Sequence, residues 1–157
     1  MIEADEYDNM FLGLSPTVAI ITNIEYDHPD FFPTENDYDQ AFVHFLHRTK
    51  PGGTALLCLD DPKTHTLYEQ TTGVDFKVLG YGTSPAADYQ AVDLITQDGL
   101  PQFTLRFKKP DGETEILGHV KLNVPGRHNV LNATAALAAI HQSSLSLPDA
   151  INALHSF

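Results

Sequence analysis

The sequence predicts an α/β fold: mainly a parallel sheet with crossover helices, to which a small antiparallel sub-sheet is added. Three observations predict it. Short runs that are apolar on both faces alternate with segments of helical periodicity, residues 88–124 switch to apolar–polar alternation, and an Ala-rich helical segment follows Gly126. Strands without a polar face suit a parallel sheet covered on both sides, whereas period-two alternation suits a half-exposed antiparallel one.

The elements follow in order. "PTVAIITNI" is β-branched and apolar on both faces, so it reads as a buried strand whose carboxyl end is Thr22-Asn23. From Glu35 to Thr49 the apolar Tyr38, Phe42, Phe45 and Leu46 recur at helical spacing, with Thr34 as N-cap and "KPGG" as the stop. "TALLCL" is a second buried strand. "DDPKTHTLYEQ" is a helix opened by Asp60 or Asp61 with Pro62 in its first turn, and "DFKVLGYG" is a third strand. "DYQAVDLITQ", "LPQFTLRFKKP" and "ETEILGHVKLNVPG", separated by Asp-Gly turns at 98–99 and 111–112, form an antiparallel meander, read as a small secondary sheet. "RHNVLNATAALAAIHQ" is helical, and "SLPDAINALHSF" starts a last helix with Ser146 as cap and Pro148 near its start. The organisation is therefore an α/β part over 1–87, the antiparallel part over 88–124 and helices over 125–157.

Composition narrows the function classes. At 157 residues with 42% hydrophobic and 10% aromatic residues, the chain fits one globular domain, and no apolar run reaches the roughly 18 residues of a bilayer span. The opening "MIEADEYD" lacks the basic-then-apolar pattern of a signal peptide, and the single cysteine, Cys58, forms no internal disulfide. A cytoplasmic location is expected. The net charge of −12 argues against nucleic-acid or anionic-membrane partners, which need clustered Lys and Arg. The first 47 residues hold ten Asp or Glu and no Lys or Arg. Either this is a solvated acidic face, or a divalent metal supplies the missing positive charge.

Three polar clusters carry candidate chemistry. "TNIEYDHPD", directly after the first strand, crowds Glu25, Asp27, His28 and Asp30 at a carboxyl strand end, where ligands collect in open α/β sheets. His28 is either a hydrogen-bonded surface histidine or a metal ligand backed by carboxylates. "EADEYD" is either a frayed acidic start or a second source of carboxylates leading into the same strand. In "GRHNVLNATAA", Asn129 and Asn132 lie three apart on one helix face. They serve as cap and solvent-facing amide, or they pair with the donor–acceptor edge of adenine.

In this order, "EADEYD", "TNIEYDHPD" and "VPGRHNVLNATAALA" resemble the central ATPase domain of the Mur ligases over nearly the whole chain, and within that family the branch joining L-alanine to UDP-N-acetylmuramate. The resemblance implies ATP and Mg²⁺ as cofactors, an acyl phosphate made from the muramoyl carboxylate, and attack by the incoming amine with release of ADP and phosphate. It implies that Glu3 and His28 are the catalytic, magnesium-holding pair, that Asn129, Asn132 and His128 contact the adenine, and that Asn23 touches substrate or metal-bound water.

Two departures from the family pattern matter. No G-T-x-G-K-T phosphate loop occurs here, since "TKPGGT" has its lysine before the glycines. The loop, the UDP-sugar domain and the C-terminal lobe are thus expected outside the chain, which is read as part of a central domain and inert alone. The first lysine is Lys50, too late for the carbamylated lysine of several Mur ligases, which fits the L-alanine branch. A murein tripeptide recycling ligase of the same family and a non-catalytic acidic cation- or partner-binding module are the competing readings. Surfaces uncovered by truncation would invite a homodimer.

Overall fold

A computed structural model describes residues 2–155. A 3-10 segment, Tyr7–Gly13, precedes strand β1 (Val18–Ile21), helix α1 (Glu35–Leu46), β2 (Thr54–Cys58), α2 (Pro62–Gln70) and β3 (Lys77–Gly82). Then come β4 (Tyr89–Gln97), β5 (Leu100–Lys108), β6 (Thr114–Lys121), α3 (Arg127–Gln142) and α4 (Leu147–Leu154). The strands form one six-stranded sheet in the order β1-β2-β3-β4-β5-β6. β1 to β4 pair in parallel and β4 to β6 antiparallel. The meander is therefore not a separate sheet. It continues the parallel one through Tyr81–Tyr89 and Gly82–Gln90, because β4 leaves the short loop after β3 at the height of β3's carboxyl end.

Side-chain parity divides the core. In β2, Ala55 and Leu57 face one side with Ala19 and Ile21 of β1, against α1, Phe11 and Phe32. Leu56 and Cys58 face the other, with Tyr81, Tyr89 and Phe103, against α3 and α4. Successive crossovers that step the same way across a sheet keep their helices on one face, so α1 and α2 share a side. The opposite face is covered only when the chain returns from the meander as α3.

Local chemistry sets the helix starts. Thr34 and Asp37 form a capping box, each side chain accepting from the other's backbone N–H at 3.1 Å. Asp61 caps α2 by accepting from Thr64 N–H at 2.8 Å, with Pro62 next. Ser146 caps α4. Asp98 and Gly99 both have positive φ, as a two-residue hairpin turn requires.

Leu56, on the strand next to β1, is fully buried. Leu56→Ala should lower unfolding stability by about 2–5 kcal/mol, read from urea denaturation midpoints at unchanged m-value.

Candidate functional site

β1 ends at Ile21, and the chain turns away through Thr22 and Asn23, whose side chains share a 3.0 Å hydrogen bond. The following loop is tied down by apolar anchors, Ile24 and Phe32, both almost fully buried. Ile24 N–H also donates to Asp61 Oδ1 at 3.4 Å, and Tyr26 hydroxyl donates to the Phe32 carbonyl at 2.7 Å. Between these anchors His28 has φ +56°, a left-handed conformation uncommon outside glycine. Its carbonyl accepts from Phe31 and Phe32 N–H at 3.0 and 2.9 Å, and its own N–H donates to Asp27 Oδ1 at 2.7 Å. The loop thus fixes the direction in which the imidazole projects.

His28 Nε2 lies 3.6 Å from Glu6 Oε1 and 3.9 Å from Asp27 Oδ2, with the Tyr7 ring edge-on at 5.0 Å. Glu6 Oε1 also accepts from the Tyr38 hydroxyl at 3.2 Å. Burial, reinforced by Glu6, raises the Tyr38 pKa far above its ordinary value, so the phenol stays a donor. Glu6 is therefore held between a phenol and an imidazole.

A groove of about 1100 Å³ runs along the full length of β1 and is lined at its carboxyl end by Glu3, Glu6, Asn23, Glu25 and Asp27. Among the described residues β1 is the edge strand of the sheet, and the groove follows its unpaired backbone. Among the described residues no Lys or Arg lines it, so its four carboxylates have no lysine or arginine beside them there. Such a donor set suits a hard cation that keeps water and takes substrate oxygens. It is a partial shell and not a cage: among the described residues, no group of three or more His, Cys, Asp or Glu is arranged to hold a metal ion.

The second cluster lies at the start of α3. The helix runs antiparallel to β3, since Gln142 at its end accepts from Lys77 at 3.2 Å while Arg127 at its start donates to Thr83 Oγ1 at 2.8 Å. Its first turn thus sits over the carboxyl edge of the parallel strands, the edge that also carries Asn23. Gly126, and not Asn129, holds the cap position. Asn129 lies in the first turn and donates from Nδ2 to the Pro125 carbonyl at 2.7 Å, because only a short side chain one turn in can reach back that far. His128 and Asn132 are exposed, and none of the three lines the groove.

Glu3 and Asn23 therefore share a groove, His28 stands beside it through Glu6, and the amide cluster occupies the same edge further along. Sequence reasoning passed over Glu6, although "EADE" displays it three residues after Glu3. It also treated Asp60 as a helix cap only. In the structure Asp60 Oδ1 accepts from Arg127 at 2.6 Å and Thr83 hydroxyl at 2.5 Å, while Oδ2 accepts from Thr83 N–H at 2.6 Å. No residue-type pattern announces a pairing across 67 positions.

Residues 2–140 match the Mur ligase middle domain, and the chain belongs to that family. A curated relative, the UDP-N-acetylmuramate–L-alanine ligase of Desulforamulus reducens, is 42% identical over 156 residues, covering 99% of this chain and 32% of the relative. A solved UDP-N-acetylmuramate:L-alanyl-γ-D-glutamyl-meso-diaminopimelate ligase of Neisseria meningitides is 25% identical with a TM-score of 0.78, covering 99% of this chain and 46% of that one. The MurF ligase of Thermotoga maritima, solved in complex with ADP, shares the fold at 21% identity and a TM-score of 0.63, over 91% of this chain and 30% of that one. The chain spans about a third of the length of the curated relatives it matches. No helix of the described residues is long and apolar enough to cross a membrane.

Burial pushes the Asp60 carboxyl up, but the hydrogen bonds from Thr83 and Arg127 outweigh it and hold the pKa below the ordinary carboxylate value. A depressed folded-state pKa stabilises fully above the unfolded value of about 3.9, and that contribution is lost as pH falls through the folded value. The stability difference between the unaltered chain and Asp60→Asn should therefore be constant from pH 5 to 7 by urea denaturation and shrink below about pH 4.

Proposed function

We propose that this chain is the magnesium- and nucleotide-binding part of an ATP-dependent ligase that joins L-alanine to UDP-N-acetylmuramate in the cytoplasm, releasing ADP and phosphate. The observation that carries this reading is the acidic groove at the carboxyl end of β1, with His28 fixed in a left-handed backbone conformation beside Glu6.

Glu3 and His28 would hold magnesium, which supplies charge neutralisation on the transferring phosphate oxygens when bound. Glu6 accepts from Tyr38 and faces His28, which limits the directions the imidazole can take. Asn23, at the strand end, is placed to hydrogen-bond substrate or an ordered water. At the other end of the same edge, Asn129 and Asn132 offer amides, and His128 a flat ring, to the adenine base. The identity to curated L-alanine ligases favours L-alanine over the murein tripeptide as the group added.

Two measurements test the reading. In the complete ligase, assayed by phosphate release with UDP-N-acetylmuramate, L-alanine and Mg·ATP, His28→Asn keeps a residue tolerant of positive φ while removing the imidazole. Turnover should fall by about 100-fold or more with the melting temperature nearly unchanged. Equal losses of folding and turnover would return His28 to a structural role. Mg·ATP titrated into this 157-residue chain by calorimetry should bind no tighter than about 1 mM, because the sequence contains no G-x-x-x-x-G-K-S/T phosphate cradle. Micromolar binding would show that the phosphates are held by some other part of the chain.

A further inference from the structure

Helix α3 carries all three residues assigned to the adenine, and its placement on the sheet decides where they point. Its buried face is built mostly of small or medium side chains, Val130, Ala133, Thr134, Ala135, Leu137 and Ala138. Val130, Thr134, Leu137 and Ala138 are almost completely buried, so packing holds the middle of the helix against the sheet and leaves its two ends to polar contacts. The far end is pinned by polar contacts: the Tyr89 hydroxyl meets His141 Nδ1 at 2.7 Å and accepts from Gln142 Nε2 at 2.6 Å. Burial raises the pKa of that phenol to about 12.

The near end has no side-chain cap, because Gly126 occupies the cap position. Gly126 also has φ +105°, and a β-carbon there would come within 2.7 Å of the His128 ring, so the ring folds back over the turn. This end is held by the buried Val130, by Asn129 Nδ2 on the Pro125 carbonyl, and by Asp60, whose side chain is 9% exposed and accepts from Arg127 and from both donors of Thr83. Thr83 is in turn held by Gln90, whose Nε2 donates to its carbonyl at 2.9 Å. The carboxylate occupies space that exists only because residue 82 is glycine: at φ +144° a β-carbon on Gly82 would overlap Asp60 Oδ2. A negative group at a helix N-terminus is also favoured by the helix dipole.

We propose that Asp60, seated in the space left by Gly82, is a positioning residue: through Arg127 it sets the rotation of the first turn of α3 and hence the presentation of His128 and Asn129 to the base. The inference rests on the assignment of those residues to adenine made above. The competing account is an ion pair that contributes only to stability. Arg127 is 66% exposed, so replacing it removes the contact without opening the core.

The test is ¹⁵N and ¹³C nuclear magnetic resonance on the 157-residue chain, with adenosine as the probe because it carries the base without phosphates. Arg127→Gln should leave the melting temperature within a few degrees, move the Asn129 side-chain amide and His128 ring resonances, and weaken adenosine binding roughly five-fold or more. Arg127→Lys, which restores charge but not the forked donor, should recover part of the affinity. Unmoved resonances and unchanged affinity in Arg127→Gln would overturn the proposal, whatever happens to stability. Because this chain is expected to bind nucleotide no tighter than about 1 mM, adenosine is titrated to about 10 mM, and no shift of the His128 or Asn129 resonances at that concentration would sink the nucleotide assignment separately. The clamp is then read from Asp60→Asn, remote in sequence from both reporters: movement of the Asn129 and His128 resonances supports it, and their constancy refutes it. Should Arg127→Gln not fold, Thr83→Val, which removes the hydroxyl shared by Asp60 and Arg127, is read by the same two criteria.

Discussion

Strand β2 has no solvent face, and the rest of the molecule is arranged around that constraint. Its five residues are all buried, with alternate side chains committed to opposite cores, so helices must cover both sides of the sheet. The strand also delivers Asp60 and Asp61 immediately after its last residues. Asp61 accepts from Ile24 N–H and caps α2, while Asp60 reaches Thr83 and Arg127. Two adjacent carboxylates thereby connect the loop after β1, the loop after β3 and the start of α3.

The carboxylates fall into those answered by a partner and those that line the groove. Most carboxylates set against the fold are answered by a partner. Lys63 sits between Glu35 and Asp39 at 2.5 and 2.8 Å, and Arg127 answers Asp60. Asp88, whose pKa burial raises, accepts from Gly80 N–H at 2.7 Å and from the Tyr68 hydroxyl at 3.4 Å. The groove beside β1 differs, since Glu3, Glu6, Glu25 and Asp27 line it with no basic residue among them. Like charge gathered in one groove favours the entry of a cation, which is the physical argument behind the metal proposed above.

Most of the fold was legible because the signals are local. The capping residues Thr34, Asp61 and Ser146, the alternation in residues 88–124 and the doubly apolar "TALLC" each act within a few positions of the structure they specify. The continuity of the meander with the parallel sheet was not legible. It depends on two residue pairs at the ends of β3 and β4, and hydrogen bonding between backbones leaves no trace in side-chain pattern. Of the candidate site, Asn23 and His28 were legible as polar groups at or just after a strand end, which is a consequence of position along the chain, whereas Glu3 was reached only through the family resemblance. Glu6 was missed because its role depends on Tyr38 and His28 arriving from later segments.

The sequence by itself determined which segments become strands and helices, which edge of the sheet collects polar residues, and that this part of the chain carries acid without base. Those properties follow from periodicity, capping chemistry and charge, all encoded in neighbouring residues. Only the tertiary structure decided that Glu6 meets His28, that Gly82 makes room for Asp60, and that Arg127 closes the contact from 67 residues away. Such contacts are set by how finished elements dock, and docking sums many weak packing terms that no short stretch of sequence contains.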